Sequence, residues 1–371
     1  MRKIPYGRQH IDEDDILAVA ETLRSDYLTT GPKISEFETA VASFCDARFG
    51  VAVSNGTAAL HAAMFALSIG PGDEVIVPPM TFAASANCIL YMGATPVFAD
   101  VDPETLLLDP VKAAAAITDK TKAIIAVDYT GQPCDWSELN KLAKKHDIAL
   151  VADGCHALGA TLNGTRVGTL ADMTVFSFHP VKHIATGEGG MILTEDAQLD
   201  AILRTFRNHG ITTDARTRAE TGAWFYEMHD LGYNYRITDI QAALGTSQMS
   251  KLPRFLERRR EIAAFYDQQF ANTDVRPLLV REDVEHAYHL YVVRIPNRDE
   301  VYKKLQEAGI YSQVHYIPVH LHPYYRQNLG TTVGLCPVTE AAYEEILSLP
   351  MYPDLTEEEM EYVANTILEI V

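Results

Sequence analysis

Asp153 and Lys182 have the residue types and the placement needed for amine chemistry on an aldehyde-bearing cofactor. Asp153 ends the apolar run IALVAD, and Lys182 lies in the Ser-, His-, Pro- and Gly-rich turn of FSFHPVKHIATGEGG. A lysine amine that is often neutral captures an aldehyde, and a carboxylate keeps a pyridine nitrogen protonated. Pyridoxal phosphate (PLP) needs both groups, so the pair predicts a PLP site. Taken singly, the lysine also fits a solvated side chain and the aspartate a turn cap.

Hydroxyl groups and a helix start nearby are candidates for binding the phosphate of such a cofactor. The turn SNGT, which contains Gly56 and Thr57, follows an apolar run and opens a helical pattern. Backbone amides at a helix N-terminus bind phosphate, although a plain helix cap looks the same in sequence. Ser177, shortly before Lys182, offers a second hydroxyl. Phe82, at the start of another helix, is a candidate to stack on the cofactor ring, whereas a core position is the commoner place for phenylalanine.

Histidines are frequent around these turns, but their spacing does not favour a metal site. Cys155 and His156 are adjacent, so in an extended chain their side chains point apart and cannot share one ion. We therefore expect no metal. A second histidine-rich stretch, HYIPVHLHPYY, contains His315 and His320, which are candidates for contacts with the pyrophosphate or ribose of a nucleotide. The alternative is a polar turn between domains.

The elements that position these residues alternate between apolar runs and amphipathic helical patterns from RFGVAVSNG to IALVADG. This alternation predicts an α/β fold with a mostly parallel sheet covered by helices on both faces. Ligands of such sheets bind at the carboxyl ends of the strands. The turns that should converge there are SNGT, YTGQ, ADGCH and SFHPVK.

The length of 371 residues predicts two domains. Residues 1–245 are expected to form a large α/β domain with an N-terminal arm. Residues 246–371 are expected to form a long helix, with Pro253 starting a second helical segment, and a smaller α+β domain in which VTEAAYEEILSLP is one helix. The irregular stretch 211–236 is expected to be functional rather than a disordered insert.

Composition excludes some classes of function. The net charge of −19 argues against a nucleic-acid-binding protein, which needs a basic face. No apolar run reaches the length of a membrane span, and the N-terminus lacks the apolar region of a signal peptide. The five cysteines are scattered and form no CxxC motif, which is typical of reduced thiols. We therefore expect a soluble, cytoplasmic protein without nucleic-acid or membrane partners.

Several motifs in order resemble the DegT/DnrJ-type nucleotide-sugar aminotransferases, which are PLP enzymes of the aspartate aminotransferase fold (fold type I). The motifs are LTTGP, SNGTAAL, PPMTFAASAN, VADGCHALGA, FSFHPVK with TGEGG, GYNYRITDIQAALG and HYIPVH. The resemblance runs from about residue 4 to the C-terminus and implies a three-layer αβα large domain. Within the family, IPYGRQ, DGCHALGA and SFHPVK look closest to the transaminases of the pseudaminic-acid pathway.

The resemblance implies roles for individual residues. Lys182 matches the lysine that binds the cofactor aldehyde and then acts as base and acid, and Asp153 matches the partner of the ring nitrogen. Gly56, Thr57 and Ser177 match the donors to the cofactor phosphate.

Three further cofactor contacts follow from the same resemblance. Phe82 matches the aromatic residue over the ring. Asn234 matches a residue that reaches the cofactor phosphate of the neighbouring subunit, which implies a homodimer with shared sites. His156 departs from the family, because many members have glutamine at this position, near the ring oxygen. Histidine there still donates a hydrogen bond, in either a charged or a neutral form.

The implied reaction moves the amino group of L-glutamate to C4 of a UDP-linked 4-keto sugar, while PLP cycles through pyridoxamine phosphate (PMP). The product would be UDP-4-amino-4,6-dideoxy-N-acetyl-β-L-altrosamine. The residues expected to bind this substrate across the dimer cleft are Tyr6, Thr30, Arg236, His315 and His320.

Other readings stay open at this point. The same chemistry fits another keto sugar, such as a perosamine, dTDP-amino-sugar or bacillosamine precursor. A PLP sugar dehydratase is disfavoured, because dehydratases of this family have histidine in place of Lys182. A desulfurase is disfavoured, because it needs a reactive cysteine and none of the five cysteines stands out. A PLP-binding protein without activity is disfavoured by the intact pair of Lys182 and Asp153.

Overall fold

A seven-stranded sheet forms the centre of the computed structural model, which describes residues 3–213, 216, 218 and 221–371. All strands run in one direction except Gly190–Thr194, which is antiparallel to both of its neighbours. In spatial order the strands are Phe49–Val53, Gly190–Thr194, Met173–Ser177, Ala149–Asp153, Thr121–Val127, Glu74–Val77 and Thr95–Phe98. This arrangement confirms the predicted α/β class and the mostly parallel sheet.

Helices cover both faces of this central sheet. Alternate residues of a strand point to opposite faces, and in Glu74–Val77 the side chains of Val75 and Val77 pack in one core cluster while Ile76 packs in another. Among the described residues before position 239, the named helices are Glu13–Arg24, Pro32–Phe44, Gly56–Ala66, Ala84–Tyr91, Pro110–Ala116, Trp136–His146 and Ala197–Phe206, with a 3₁₀ turn at Tyr129–Gly131. The strands are therefore buried on both sides, as their continuous apolar runs indicate.

The helix Asp239–Phe270 runs without interruption through Pro253, so the prediction that Pro253 starts a second segment is wrong. Proline removes one backbone hydrogen bond of a helix. Leu252 and Phe255, on either side of Pro253, are both buried and hold the helix in place despite this loss. The predicted domain boundary after residue 245 falls within this helix, and the division into two domains stays a prediction.

The C-terminal part contains a three-stranded sheet of Arg276–Pro277, Tyr291–Arg294 and Ile346–Leu349. The helix predicted over VTEAAYEEILSLP is correct only as far as Glu345, because Ile346–Leu349 pairs with Tyr291–Arg294 instead. A short apolar run fits a helix and a strand equally well in sequence. The helices in this part are Arg298–Glu307, Pro323–Leu329, Pro337–Glu345 and Glu357–Ile370, with a 3₁₀ turn at Val319–Leu321.

Short two-residue strands connect distant parts of the chain. Ile4–Pro5 pairs in parallel with Ile310–Tyr311 and so attaches the N-terminal arm to the C-terminal part. Val284–Glu285, Thr161–Leu162 and Thr165–Arg166 form a small separate sheet. Among the helices that the structure describes, none is both long and apolar enough for a membrane span.

Candidate active site

A cavity of about 820 Å³ lies where the sheet strands end, and most of the sequence-predicted site residues line it. The predicted residues in its wall are Tyr6, Gly56, Thr57, Phe82, Asp153, His156, Ser177, Lys182 and His315. Ser85, Cys155, Tyr235, His289 and Tyr316 also line it and were not predicted. Of the four turns expected to converge, SNGT, ADGCH and SFHPVK line the cavity and YTGQ does not, while the role of each side chain stays a prediction.

Lys182 lies in the loop between the adjacent strands Met173–Ser177 and Gly190–Thr194, and its backbone N–H donates to the carbonyl of His179 at 2.9 Å. Burial lowers the pKa of the Lys182 amine. The nearby Arg259 lowers this pKa further, whereas Cys155 and Asp153 raise it. The amine is therefore neutral more often than a solvated lysine, which is the form that attacks a carbonyl.

Asp153 ends the strand Ala149–Asp153 and is 6% exposed. Ser85 Oγ donates to its Oδ2 at 2.6 Å, and the backbone N–H of Cys155 donates to its Oδ1 at 3.3 Å. Thr81 Oγ1 lies 2.7 Å from Ser85 Oγ and extends this hydrogen-bond chain. These hydrogen bonds fix the position of the Asp153 carboxyl group at the cavity, where it is suited to pair with a protonated ring nitrogen.

The helix Gly56–Ala66 starts at the cavity, and Asn55 caps it by accepting from the N–H of Ala58 at 2.8 Å. A Cβ built on Gly56 would lie 3.0 Å from Cβ and 3.4 Å from Oγ of Ser177. A side chain at this position would be crowded against Ser177, so glycine favours the close approach of the helix start and this hydroxyl. The N-terminal amides, the helix dipole and the Ser177 hydroxyl together form an anion cradle. These residues fit the phosphate of PLP.

His156 is buried, with Nε2 3.0 Å from the hydroxyl of Tyr316. Burial, followed by the nearby Lys182, lowers the pKa of His156 well below its ordinary value, so the ring is neutral. Its Nδ1 has no hydrogen-bond partner within the described part of the chain. A buried polar atom without a partner indicates a place for a ligand group. Phe82 is 61% exposed at the same wall, with its ring 6.1 Å from that of Tyr316.

Thr30, Asn234 and Arg236 do not reach this cavity. Thr30 and Arg236 line a second cavity of about 260 Å³. Arg236 Nη1 donates to Asn208 Oδ1 at 2.7 Å, and burial with the nearby Arg207 lowers the pKa of Arg236. Asn234 is exposed.

His320 is also outside the main cavity. It is fully buried, and its Nε2 lies 2.8 Å from Glu340 Oε1. The structure thus gives His320 a carboxylate partner in the interior and does not bring it to the predicted substrate. Its neighbour in the histidine-rich stretch, His315, does line the cavity, with Nδ1 2.8 Å from Ser348 Oγ.

The irregular stretch 211–236 exposes several large apolar side chains. Trp224, Phe225 and Leu231 are 84%, 59% and 77% exposed. Positions 214, 215, 217, 219 and 220 of this stretch lie outside the described residues. Exposed apolar side chains of this size are candidates for contact with another molecule.

The model of the DegT/DnrJ/EryC1/StrS aminotransferase family matches residues 9–368 of the chain. The spore coat polysaccharide biosynthesis protein SpsC of Bacillus subtilis is 40% identical over 378 residues, which cover 99% of this chain and 97% of SpsC. The PLP form of Spr1654 from Streptococcus pneumoniae, assigned as a sugar aminotransferase, has a TM-score of 0.94 at 36% identity and covers 99% of this chain and 98% of its own. Spr1654 is also known in a PMP form. Helicobacter pylori PseC, an aminotransferase of pseudaminic-acid biosynthesis, has a TM-score of 0.93 at 31% identity, with 100% of this chain and 99% of PseC covered.

Proposed function

The chain belongs to the DegT/DnrJ/EryC1/StrS aminotransferase family, and on this premise we propose that it aminates C4 of a UDP-4-keto-6-deoxy-N-acetylhexosamine with L-glutamate. It is a sugar aminotransferase with the fold of the PLP-dependent enzymes, and its cofactor is PLP, which cycles through PMP. The proposed product is UDP-4-amino-4,6-dideoxy-N-acetyl-β-L-altrosamine, an intermediate of pseudaminic-acid biosynthesis. The observation that carries the transaminase chemistry is the presence of Lys182 and Asp153 in the wall of one cavity.

Bound PLP would supply an aldehyde that receives the amino group and a ring that delocalises the negative charge left when a substrate carbon loses its proton. Asp153, held by Ser85, keeps a proton on the ring nitrogen. Gly56, Thr57 and Ser177 hold the phosphate at the start of the helix.

The proton transfer is assigned to Lys182. Because burial lowers the pKa of Lys182, its Nζ would accept the proton from Cα of L-glutamate and deliver it to C4′ of the cofactor in the same half-reaction. In the second half-reaction the same amine would move a proton in the reverse direction, from C4′ to C4 of the sugar. Phe82, in the wall of the cavity, is proposed to stack on the ring of the cofactor. Tyr6 and His315, whose rings lie 5.0 Å apart, are the proposed contacts of the nucleotide sugar within the same chain.

The residues that do not reach the main cavity support the proposal of a homodimer. Thr30 and Arg236 line the second cavity, and Asn234 is exposed, so within one chain none of them has access to the proposed cofactor site. We propose that they contribute to the site of a second copy. The exposed Trp224 and Leu231 provide apolar surface for that contact.

A panel of keto sugars tests the proposed substrate. The PLP-loaded enzyme would be given L-glutamate with the UDP-4-keto-6-deoxy-N-acetylhexosamine of the pseudaminic-acid pathway, with its C5 epimer, and with GDP- and dTDP-linked 4-keto-6-deoxyhexoses. Formation of 2-oxoglutarate and of the amino sugar would be measured. We expect the highest kcat/KM for the first compound. A preference of tenfold or more for any other member would refute the proposed substrate and leave the transaminase assignment intact.

SpsC supports a second candidate, a different 4-keto nucleotide sugar destined for a surface polysaccharide. More residues of this chain are identical to SpsC, at 40%, than to PseC, at 31%. One methyl group in an apolar pocket changes selectivity by only about 1–3 kcal/mol, so small differences in the cavity wall can change the sugar. The same panel separates the two candidates.

A further inference from the structure

His289 contacts the amine that the proposed mechanism uses. It lies just before the strand Tyr291–Arg294, lines the cavity and is 4% exposed. Its Nε2 is 3.3 Å from Nζ of Lys182. We propose that His289 is a positioning residue, which accepts an N–H of Lys182 and directs the amine lone pair towards the substrate. This inference rests on the proposed role of Lys182 as the base.

Arg259 holds His289 in this position. It is fully buried in the helix Asp239–Phe270, and its Nη1 donates to the carbonyls of Tyr288, His289 and Met351 at 3.0, 3.3 and 3.0 Å. These bonds join the backbone that carries His289 to the long helix. Burial lowers the pKa of Arg259 only to about 10, so at neutral pH the guanidinium keeps its positive charge.

The electrostatic surroundings keep His289 neutral. Burial, followed by the nearby Lys182, lowers the pKa of His289 well below its ordinary value. The neighbouring His156 and His183, together with Arg259, act in the same direction. A neutral imidazole can accept a hydrogen bond through one nitrogen, whereas an imidazolium can only donate. In the tautomer with its proton on Nδ1, His289 can therefore accept from Lys182 throughout the neutral pH range.

The hydrogen bond has a defined geometric consequence. A neutral amine that donates one N–H to a fixed acceptor has its lone pair restricted to the remaining directions, which include the cavity. The other groups around the amine do not replace this contact, because Asp153 accepts from Ser85 and Cys155, and His183 Nε2 lies 3.0 Å from the carbonyl of Ala287. The contact with Lys182 is made by His289 Nε2, and His289 Nδ1 has no partner among the described residues.

Two substitutions separate positioning from packing. In His289→Gln the amide oxygen can reach the place of Nε2 and accept the same bond. In His289→Leu the volume is similar but the acceptor is lost. His289→Asn, with an amide one methylene too short, replaces the leucine variant if that variant does not fold. Thermal unfolding of each variant checks the fold independently.

The first measurement uses the apoprotein and does not depend on turnover. Acetic anhydride labelling of Lys182 is followed across pH by mass spectrometry of the peptide, which gives the pKa of the amine. The groups that face this amine are Asp153 and Cys155, which raise its pKa, Arg259, which lowers it, and the neutral His156, His183, His289 and His315. Loss of the acceptor destabilises the ammonium form, so we expect the midpoint to fall by about one pH unit in His289→Leu and to stay unchanged in His289→Gln.

The second measurement reports proton abstraction alone. The holoenzyme is incubated with L-glutamate in ²H₂O without any sugar, and exchange of the Cα proton is followed by NMR. We expect exchange to slow by tenfold or more in His289→Leu and to stay within about threefold of the native rate in His289→Gln. An unchanged labelling midpoint together with native exchange in His289→Leu would overturn the proposal. Lys182→Ala is the control, because native exchange in that variant would instead refute the proposed role of Lys182.

Discussion

Asp153 shows how a single carboxylate depends on neighbours that are distant in sequence. Its position is fixed by hydrogen bonds from the hydroxyl of Ser85, which lies 68 residues away along the chain, and from the N–H of Cys155. The hydroxyl of Ser85 is in turn 2.7 Å from that of Thr81. The proposed partner of the ring nitrogen is thus held in place by two elements, the strand that it ends and the helix start that carries Ser85.

Replacement of Ser85 by alanine removes the 2.6 Å hydrogen bond to Asp153. A hydrogen bond to a charged group contributes about 1.5–3 kcal/mol, so we expect the rate of Cα proton exchange of L-glutamate to fall roughly tenfold to a hundredfold. The NMR exchange assay described for His289 measures this. Ser85→Thr keeps a hydroxyl and serves as the matched control. A native exchange rate in Ser85→Ala would show that Asp153 functions without the hydrogen bond from Ser85.

The proposed phosphate cradle depends on how two elements meet, the start of the helix Gly56–Ala66 and the end of the strand Met173–Ser177. Their close approach is possible because Gly56 has no side chain. Both elements are fixed by the sheet, since Phe49–Val53, which precedes the helix, and Met173–Ser177 both pair with Gly190–Thr194. The cradle is thus part of the sheet framework.

Gly56→Ala would place a methyl group 3.0 Å from Cβ of Ser177 and push the helix start away from the hydroxyl. We expect PLP to bind about tenfold more weakly, as measured by equilibrium dialysis or by fluorescence titration of the apoprotein. Gly70→Ala is the control, because nothing lies within 4 Å of a Cβ at that position. Equal affinities of the two variants would argue against a phosphate at this helix.

Glu38 joins three elements, the helix Pro32–Phe44 that carries it, the strand Phe49–Val53 and the helix Ala197–Phe206. Its Oε1 accepts from the N–H of Ala52 at 3.0 Å, and its carboxylate pairs with Arg204 and Arg207. Burial alone would raise the pKa of Glu38, but the two arginines outweigh it and hold this pKa below the ordinary value of 4.5. The folded state therefore favours the ionised form more than the unfolded state does.

This carboxylate should make stability depend on pH. Its contribution is complete above pH 4.5 and is lost as the pH falls through the lower pKa of the folded state. We expect Glu38→Gln to lower the free energy of unfolding at pH 7 by about 2–3 kcal/mol. The native protein should approach the variant as the pH is lowered below 4.5, which urea unfolding at several pH values would show. Glu36→Gln, on the same helix but exposed, should change little, and an equal effect of both substitutions would contradict the prediction.

The sequence was informative where one local pattern decides the structure, and less so where distant residues compete. Turns such as SNGT and SFHPVK follow apolar runs, so their convergence at the strand ends could be predicted. Ser85 and His289 could not, because their partners lie 68 and 107 residues away and nothing local marks the contact. The strand Ile346–Leu349 was read as helix, since only its pairing with Tyr291–Arg294 decides between the two.

At the scale of the whole molecule, one chain presents a cavity with most of the proposed site and leaves the remaining predicted residues elsewhere. Lys182 lines the main cavity, whereas Asn234 is exposed and Arg236 lines the second cavity. In a symmetric dimer, Asn234 and Arg236 of each chain would complete the main cavity of the other chain, which contains Lys182. The exposed aromatic residues Trp224 and Phe225 are then part of the contact surface.

Mixed dimers test this arrangement. Lys182→Ala and Asn234→Ala are each expected to be inactive or strongly impaired as homodimers. If the sites are shared, a heterodimer has one site with both substitutions and one site with neither, so activity should return to about half of the native value per dimer. Differently tagged subunits and tandem affinity purification isolate the heterodimer. An isolated heterodimer that gains no activity would show that Asn234 acts within its own chain or not at all.

The loop that carries Lys182 is closed at its base by the antiparallel strand, since Ser177 pairs with Gly190. Across the loop, the N–H of Phe178 donates to the carbonyl of Gly189, and the N–H of Thr186 donates to the carbonyl of Phe178. The amine and the Ser177 hydroxyl therefore belong to one segment whose two ends are joined by the sheet. His289 and Arg259, in contrast, come from the chain beyond residue 238. That later part contacts the segment through His289 at Lys182 and through the carbonyl of Ala287 at His183. Holding the cofactor phosphate and orienting the amine are thus proposed tasks of different parts of the chain.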